Sequence, residues 1–100
     1  MAKSITPSSI VVASKDQISC DLAGEAAILD LKNGIYFGLD EVGATVWSLL
    51  AEPRKVGEIQ DALLERFDVD AERCGRDLLA LLDDLMSRGL IINVADEPNR

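Results

Sequence analysis

The spacing of apolar residues changes once along this 100-residue chain, close to Asp40. Before Asp40, apolar and polar residues alternate in short runs, which is the pattern of half-buried β-strands. After it, apolar residues recur every three to four positions, as they do along the buried face of a helix. A sheet that is apolar on one face must bury that face against helices, so strands followed by helices indicate an α+β domain.

Three antiparallel strands are predicted before the change, at residues 17–22, 25–31 and 35–39. Asn33-Gly34 separates the last two, and this pair favours a tight hairpin because both residues tolerate positive φ. Another apolar run, at residues 10–13, is either a strand or an extended lead-in. In a three-stranded meander the last strand, 35–39, lies at one edge of the sheet.

Three helices are predicted after the change, at residues 41–50, 56–67 and 71–88. Asp40 and Asp70 are good N-caps for the first and third helices, whereas Lys55 is a poor one for the second. In the first helix we expect a buried stripe with Trp47 at its edge, made of Val42, Val46, Leu49 and Leu50.

Gly89 is placed to end the third helix, and residues 90–94 form a short apolar segment that is a further candidate strand. The expected architecture is winged helix-turn-helix-like, with a three-stranded antiparallel sheet followed by three helices. The expected domain spans residues 10–94, between a flexible arm at 1–9 and a frayed tail at 95–100.

The chain is acidic, with 18 Asp and Glu against 10 Lys and Arg and a net charge of −8. Binding to nucleic acid phosphates needs a cationic surface, so this balance argues against nucleic-acid binding and against docking on anionic membranes. The N-terminal residues contain no apolar stretch of signal-peptide length, and no run reaches transmembrane length. A cytoplasmic protein is therefore expected.

The chain has no histidine and only two cysteines, Cys20 and Cys74. Catalytic Ser-His-Asp and Cys-His arrangements are therefore excluded, and the cysteines are too far apart in sequence to form a zinc-binding pair. We expect two reduced thiols, with a disulfide as the alternative. No metal, cofactor or catalytic residue is predicted.

The predicted third helix has a wide apolar arc, formed by Cys74, Leu78, Leu81, Leu82 and Leu85 and extended on one flank by Leu79 and Met86. Either the helix is central and packs on every neighbour, or one flank lines a groove open to a ligand. The 35–39 strand contains neither charge nor proline, the residues that usually block pairing at a sheet edge. Such an edge is either a liability or a docking site for a partner strand.

The segment from Leu29 to Leu50 resembles the PqqD-like family, the recognition elements of ribosomally made and post-translationally modified peptide pathways. The matching residues occur in the family's order: Leu29-Asp30-Leu31, Gly34, Tyr36-Phe37, Leu39-Asp40, Gly43-Ala44 and Val46-Trp47. The pattern continues downstream to Gly89-Leu90-Ile91. The aromatic pair and the tryptophan are most similar to stand-alone leader-binding proteins of lasso-peptide pathways.

The resemblance implies that the leader of a precursor peptide binds as a fourth antiparallel strand, against the third helix, without catalysis. It further implies delivery to modifying enzymes, in lasso pathways a leader peptidase and a macrocyclase. The residues expected to pair through their main chain are Ile35, Tyr36, Phe37 and Gly38. Those expected to contact the leader are Leu78 and Leu82, with either Leu79 and Met86 or Leu81 and Asp77, according to which flank faces the edge strand.

Two other functions stay open on sequence alone: a winged-helix DNA-binding regulator, and a small enzyme that uses Cys20 or Cys74. Neither the second nor the third helix is basic, which disfavours the regulator, and no neighbouring cation is evident that would activate a thiol. The bare strand edge is compatible with a monomer or with a weak homodimer.

Overall fold

The computed structural model describes residues 5–14, 17–22, 25–30 and 34–94, without the side chains of 17–22, 25 and 35. Four strands precede the first helix: β1 (Ile10–Ala13), β2 (Gln17–Leu22), β3 (Glu25–Asp30) and β4 (Ile35–Leu39). The remaining elements are α1 (Glu41–Leu49), β5 (Arg54–Lys55), α2 (Val56–Arg66), α3 (Ala71–Ser87) and β6 (Ile91–Asn93). The predicted sequence of a strand meander followed by three helices is confirmed.

The main sheet is antiparallel, with the strand order β2-β3-β4. The pairing of β3 with β4 begins at Asp30 and Ile35, beside the turn. Gly34 has a φ of 67° and donates its backbone N–H to the Asp30 carbonyl at 2.7 Å, as expected for a glycine that closes a hairpin. Its predicted partner in the turn, Asn33, lies outside the described residues.

A second, smaller sheet has the order β5-β1-β6. The 10–13 and 90–94 segments, which were ambiguous in sequence, thus supply strands that pair with each other, Val11 with Asn93. Val11 and Ile91 are both buried in the core. This pairing joins the first and last strands of the described fold.

The predicted N-caps of α1 and α3 are confirmed. Asp40 accepts a hydrogen bond from the Gly43 amide at 2.9 Å, and Asp70 accepts one from the Arg73 amide at 3.0 Å. At the other end of α3, Gly89 has a φ of 75°; its N–H donates to the Met86 carbonyl, and the Leu90 N–H donates to the Leu85 carbonyl, each at 3.0 Å. These bonds form a Schellman motif, which ends the helix at the position predicted from Gly89.

Residues 5–9 differ from the predicted flexible arm, because they pack against the start of α2. Ile5 is only 7% exposed and belongs to the core. The carbonyls of Ser9 and Pro7 accept the Val56 and Gly57 amides, each at 2.9 Å. These amides lie in the first turn of α2 and have no partner within the helix. The backbone of the preceding segment therefore replaces the capping side chain that Lys55 cannot provide.

The hydrophobic core lies between the main sheet, the small sheet and the three helices. Its largest fully buried side chains are Ile28, Leu50, Ile59, Leu63, Leu82, Leu85 and Ile91. Trp47 is buried as well, whereas Val42 is 38% exposed and does not belong to the buried stripe of α1 that was predicted. It lies on the flank of α1 that borders an open groove.

Substitution of two helical glycines by alanine should have opposite effects on stability. At Gly43 a Cβ would lie 3.2 Å from the Cβ of Leu39, which is itself buried, whereas at Gly75 it would meet only the end of the Gln60 side chain. Gly75→Ala should raise the free energy of unfolding by about 0.5–1 kcal/mol through helix propensity. Gly43→Ala should lower it by about 1–2 kcal/mol through overpacking. Urea denaturation of both variants tests this, and a stabilised Gly43→Ala would show that α1 and β4 are not in close contact.

Candidate functional site

A groove of about 820 Å³ opens between β4 and α3. The described residues around it come from β4 and α1, from Leu63 in α2, from the connection between α2 and α3, and from the first two thirds of α3. They include Phe37, Gly38, Val42, Asp77, Leu78 and Leu81. The groove therefore lies beside a strand that is at the edge of the sheet.

The backbone of β4 has one side paired and one side unpaired within the described residues. Backbone groups alternate between the two sides of a strand, and the residues that flank a two-residue hairpin loop bond to each other. Leu22 and Glu25 are such a pair, so the backbone N–H and C=O groups of Glu25 point towards β2. By alternation, those of the even-numbered residues of β3 point towards β4. Their partners in β4 include Phe37. It follows that Tyr36 and Gly38 direct their N–H and C=O groups towards the open edge.

The side chains of β4 divide between two faces. Phe37 lines the groove and Leu39 is buried beneath it. Tyr36 is 68% exposed on the opposite face, where its ring lies 3.6 Å from the position that a Cβ of Gly38 would occupy. The Tyr36 ring therefore does not fold over the groove, and this residue can contribute to the site only through its main chain. The side chain of Ile35 lies outside the described residues.

The structure distinguishes the two flanks of α3 that the sequence left open. Asp77, Leu78 and Leu81 line the groove, whereas Leu79 and Met86 pack against the core elsewhere and do not border it. Leu82, expected to contact a ligand, is fully buried and also absent from the groove wall. The flank that faces the edge strand is thus the one with Leu81 and Asp77.

One wall residue is held by a cation. The guanidinium of Arg88, directly after α3, lies 4.9 Å from the centre of the Phe37 ring. Asp84 accepts a hydrogen bond from Arg88 Nε at 3.0 Å. A guanidinium over an aromatic face is attractive, so this contact positions Phe37 and joins the end of α3 to β4.

Several groove residues were not assigned to a site by the sequence. Val42 and Val69 are large apolar residues that are 38% and 45% exposed, and Phe67 is only partly buried. All three line the groove. In the sequence, such a residue can be recognised only as an apolar side chain at the edge of the buried face of its helix, as Val42 is. Helical spacing alone does not distinguish this edge position from a core position.

The thiol of Cys74 borders the groove without being reactive. Burial raises its pKa above the usual value, and the negative charge of Asp77 raises it further. The neutral thiol is thus the favoured form near neutral pH, which is the opposite of what a nucleophilic cysteine needs. The side chain of Cys20 lies outside the described residues.

In the described part of the chain, no group of three or more Cys, Asp or Glu side chains is arranged to hold a metal ion. Among the described helices, none is long and apolar enough to cross a lipid bilayer.

We expect Cys74 to be alkylated slowly by iodoacetamide. At about pH 8.5 an unperturbed cysteine is half ionised, whereas the raised pKa of Cys74 keeps it protonated. The rate at this site should be at least about tenfold lower in the native protein than in urea. Peptide mapping by mass spectrometry reads Cys74 separately from Cys20. Equal rates in the two states would show that the thiol is neither buried nor shifted.

The comparisons with known proteins agree with this geometry. The family model described as "Coenzyme PQQ synthesis protein D (PqqD)" matches residues 25–91. A solved structure described as "TbiB1 in Complex with the TbiA(beta) Leader Peptide" is 38% identical, with a TM-score of 0.74; the match covers 80% of this chain and 93% of that chain.

A curated protein from Rhodopseudomonas palustris (strain TIE-1), described as "PqqA binding protein", is 36% identical over 52 residues. The match covers 52% of this chain and 51% of that protein. The chain thus spans about half the length of the curated relative.

Proposed function

This chain belongs to the PqqD family, and on that premise we propose that it binds the leader segment of a ribosomally made precursor peptide. The leader adds to β4 as a fourth, antiparallel strand and places alternate side chains in the groove. The observation that carries the proposal is the position of an apolar groove directly beside the unpaired backbone of β4. A strand edge supplies affinity through main-chain bonds, and adjacent pockets supply specificity.

The edge alone is too weak to bind a peptide. Tyr36 and Gly38 offer two N–H and two C=O groups, and four hydrogen bonds at about 0.5–1.5 kcal/mol each give roughly 2–6 kcal/mol. Micromolar affinity requires a net binding free energy of about 8 kcal/mol. The entropic cost of ordering the peptide must be met in addition. Burying one large apolar side chain contributes about 1.5–3 kcal/mol. Two such side chains between Phe37 and Leu81 add about 3–6 kcal/mol, which brings the sum to roughly 5–12 kcal/mol, a range that includes micromolar affinity.

The relatives support binding without chemistry. One is described as a PqqA binding protein, and the other is a complex with a leader peptide. Among the described residues that line the groove, the Cys74 thiol is shifted towards its protonated form. We propose a cytoplasmic accessory protein that presents the leader to modifying enzymes, a leader peptidase and a macrocyclase in a lasso-peptide pathway. In the absence of leader, the proposal allows either a monomer or a weak homodimer that pairs through the same sheet edge.

The first test is a backbone substitution at the edge. Gly38→Pro removes an N–H that points away from β3, so the main sheet keeps its hydrogen bonds. Its affinity for a fluorescein-labelled TbiA(beta) leader peptide should fall by at least about tenfold, because a bond is lost and the ring obstructs the added strand. Its free energy of unfolding should change by less than about 1 kcal/mol. Fluorescence anisotropy and urea denaturation measure the two quantities.

Gly38→Ala is the matched control, since it keeps the N–H and adds a Cβ at ordinary contact distance from the Tyr36 ring. It should bind like the wild type. Amide hydrogen exchange of the unsubstituted protein gives an independent reading, in which peptide should protect Tyr36 and Gly38. Normal binding by the proline variant, or no added protection at these amides, would exclude strand addition at β4.

The second test separates the two flanks of α3. Leu81 and Leu79 are both half-buried and both pack against the core, but only Leu81 lines the groove. Leu81→Ala should weaken leader binding by about five- to tenfold through lost apolar contact. Leu79→Ala should lower stability without changing affinity. The reverse pattern in a binding titration would place the leader on the other side of the helix.

A further inference from the structure

Carboxylates outnumber cations around the groove. Among the described residues, four aspartates line it, Asp40, Asp68, Asp70 and Asp77, against the single cation Arg73. Arg73 Nε lies 3.8 Å from Asp77 Oδ2 in an exposed pair, so this cation faces one of the four carboxylates. The apolar floor of the groove is thus bordered by an excess of negative charge.

The aspartates come from three segments. Asp40 directly follows β4, and the other three come from the connection before α3 and from the first half of that helix. Arg88, which follows the other end of α3, does not line the groove; it lies over Phe37 and pairs with Asp84, whose Oδ1 is 3.0 Å from Arg88 Nε. We call the part bordered by Asp40, Asp68, Asp70 and Asp77 the acidic end of the groove. Asp40 marks this end at the carboxyl end of β4.

An antiparallel partner of β4 has a fixed direction relative to the acidic end. Its N-terminal residues lie beside Leu39 and Asp40, and its C-terminal residues lie beside the start of β4. The acidic end therefore meets the N-terminal part of the bound segment. Opposite charges at such a rim favour the bound state and like charges oppose it, by modest amounts for each exposed pair.

We infer that the preferred ligand carries Lys or Arg on the N-terminal side of the apolar residues that enter the groove. This inference rests on the proposed function, because the direction follows from antiparallel strand addition. It adds the chemistry of the ligand, a basic residue followed by an alternating apolar stretch. Acidic residues at the same N-terminal position are disfavoured.

The test begins with a displayed library of random peptides of about twelve residues, long enough to extend past both ends of β4. The full-length protein selects binders, and the Gly38→Pro variant removes those that do not use the edge. We expect Lys or Arg to be enriched before the apolar residues and Asp and Glu to be depleted there. Peptides that bind both proteins equally would overturn the proposed function. Edge-dependent peptides with no N-terminal basic bias would overturn only this inference.

The selected peptide with the highest affinity then gives a charge-reversal measurement. Exchange of its N-terminal Lys or Arg for Glu should lower affinity by about fivefold or more at low salt. This difference should shrink at about 1 M salt, where screening acts over roughly 3 Å. A difference of the same size at both salt concentrations would contradict an electrostatic origin.

Protein variants locate the effect. The double variant Asp68→Asn with Asp77→Asn should lose the preference for the basic peptide, because two carboxylates of the acidic end are removed. Neither residue caps a helix, so both helix N-caps are kept. A matched control, Asp61→Asn with Asp83→Asn, removes two exposed carboxylates that do not line the groove. If both double variants reduce the preference equally, the effect comes from net charge and not from the acidic end.

Discussion

The packing of α3 is the interaction on which the rest of the structure depends. Its inner face, Leu78, Leu82 and Leu85, is buried in the core shared with the sheets and the other helices. The apolar arc is wider than this contact, and its outer flank, at Leu81, stays half-buried beside β4. A single helix thus supplies both the stabilising contact and one wall of the groove. The inner part of the wide arc is thus explained by core packing, and the outer flank borders the groove.

Local chemistry made most elements predictable. Asp40 and Asp70 have short acceptor side chains at helix starts, and Gly34 and Gly89 take the positive φ that their turns need. The small sheet was not predictable as a unit, because its strands of two to four residues carry no alternation and pair only through distant contacts. Helical spacing also defined the arc of α3 without indicating its neighbours. The choice between Leu81 and Leu79 therefore required the structure, as did the exposure of Val42.

The fold alone does not determine the function. A three-stranded sheet with three helices is compatible with DNA binding, and the sequence left that alternative open. Charge and edge geometry decide against it here, since a net charge of −8 opposes phosphate binding and the groove itself is bordered by carboxylates. What remains is an uncharged strand edge beside an apolar groove, which together suit an extended peptide. No comparison with known proteins favours a regulator, and those reported above concern peptide-binding proteins.

The pairing of β1 with β6 has an architectural consequence. Val11 and Asn93 lie opposite each other in the small sheet, and residues 5–9 lead into that sheet along the start of α2, next to β5. None of the residues in β1, β5 or β6 borders the groove. A unit whose first and last strands share one small sheet, away from the groove, can be inserted into a surface loop of a larger enzyme without covering its ligand. The same recognition surface is therefore suited to work as a separate subunit or as an inserted module.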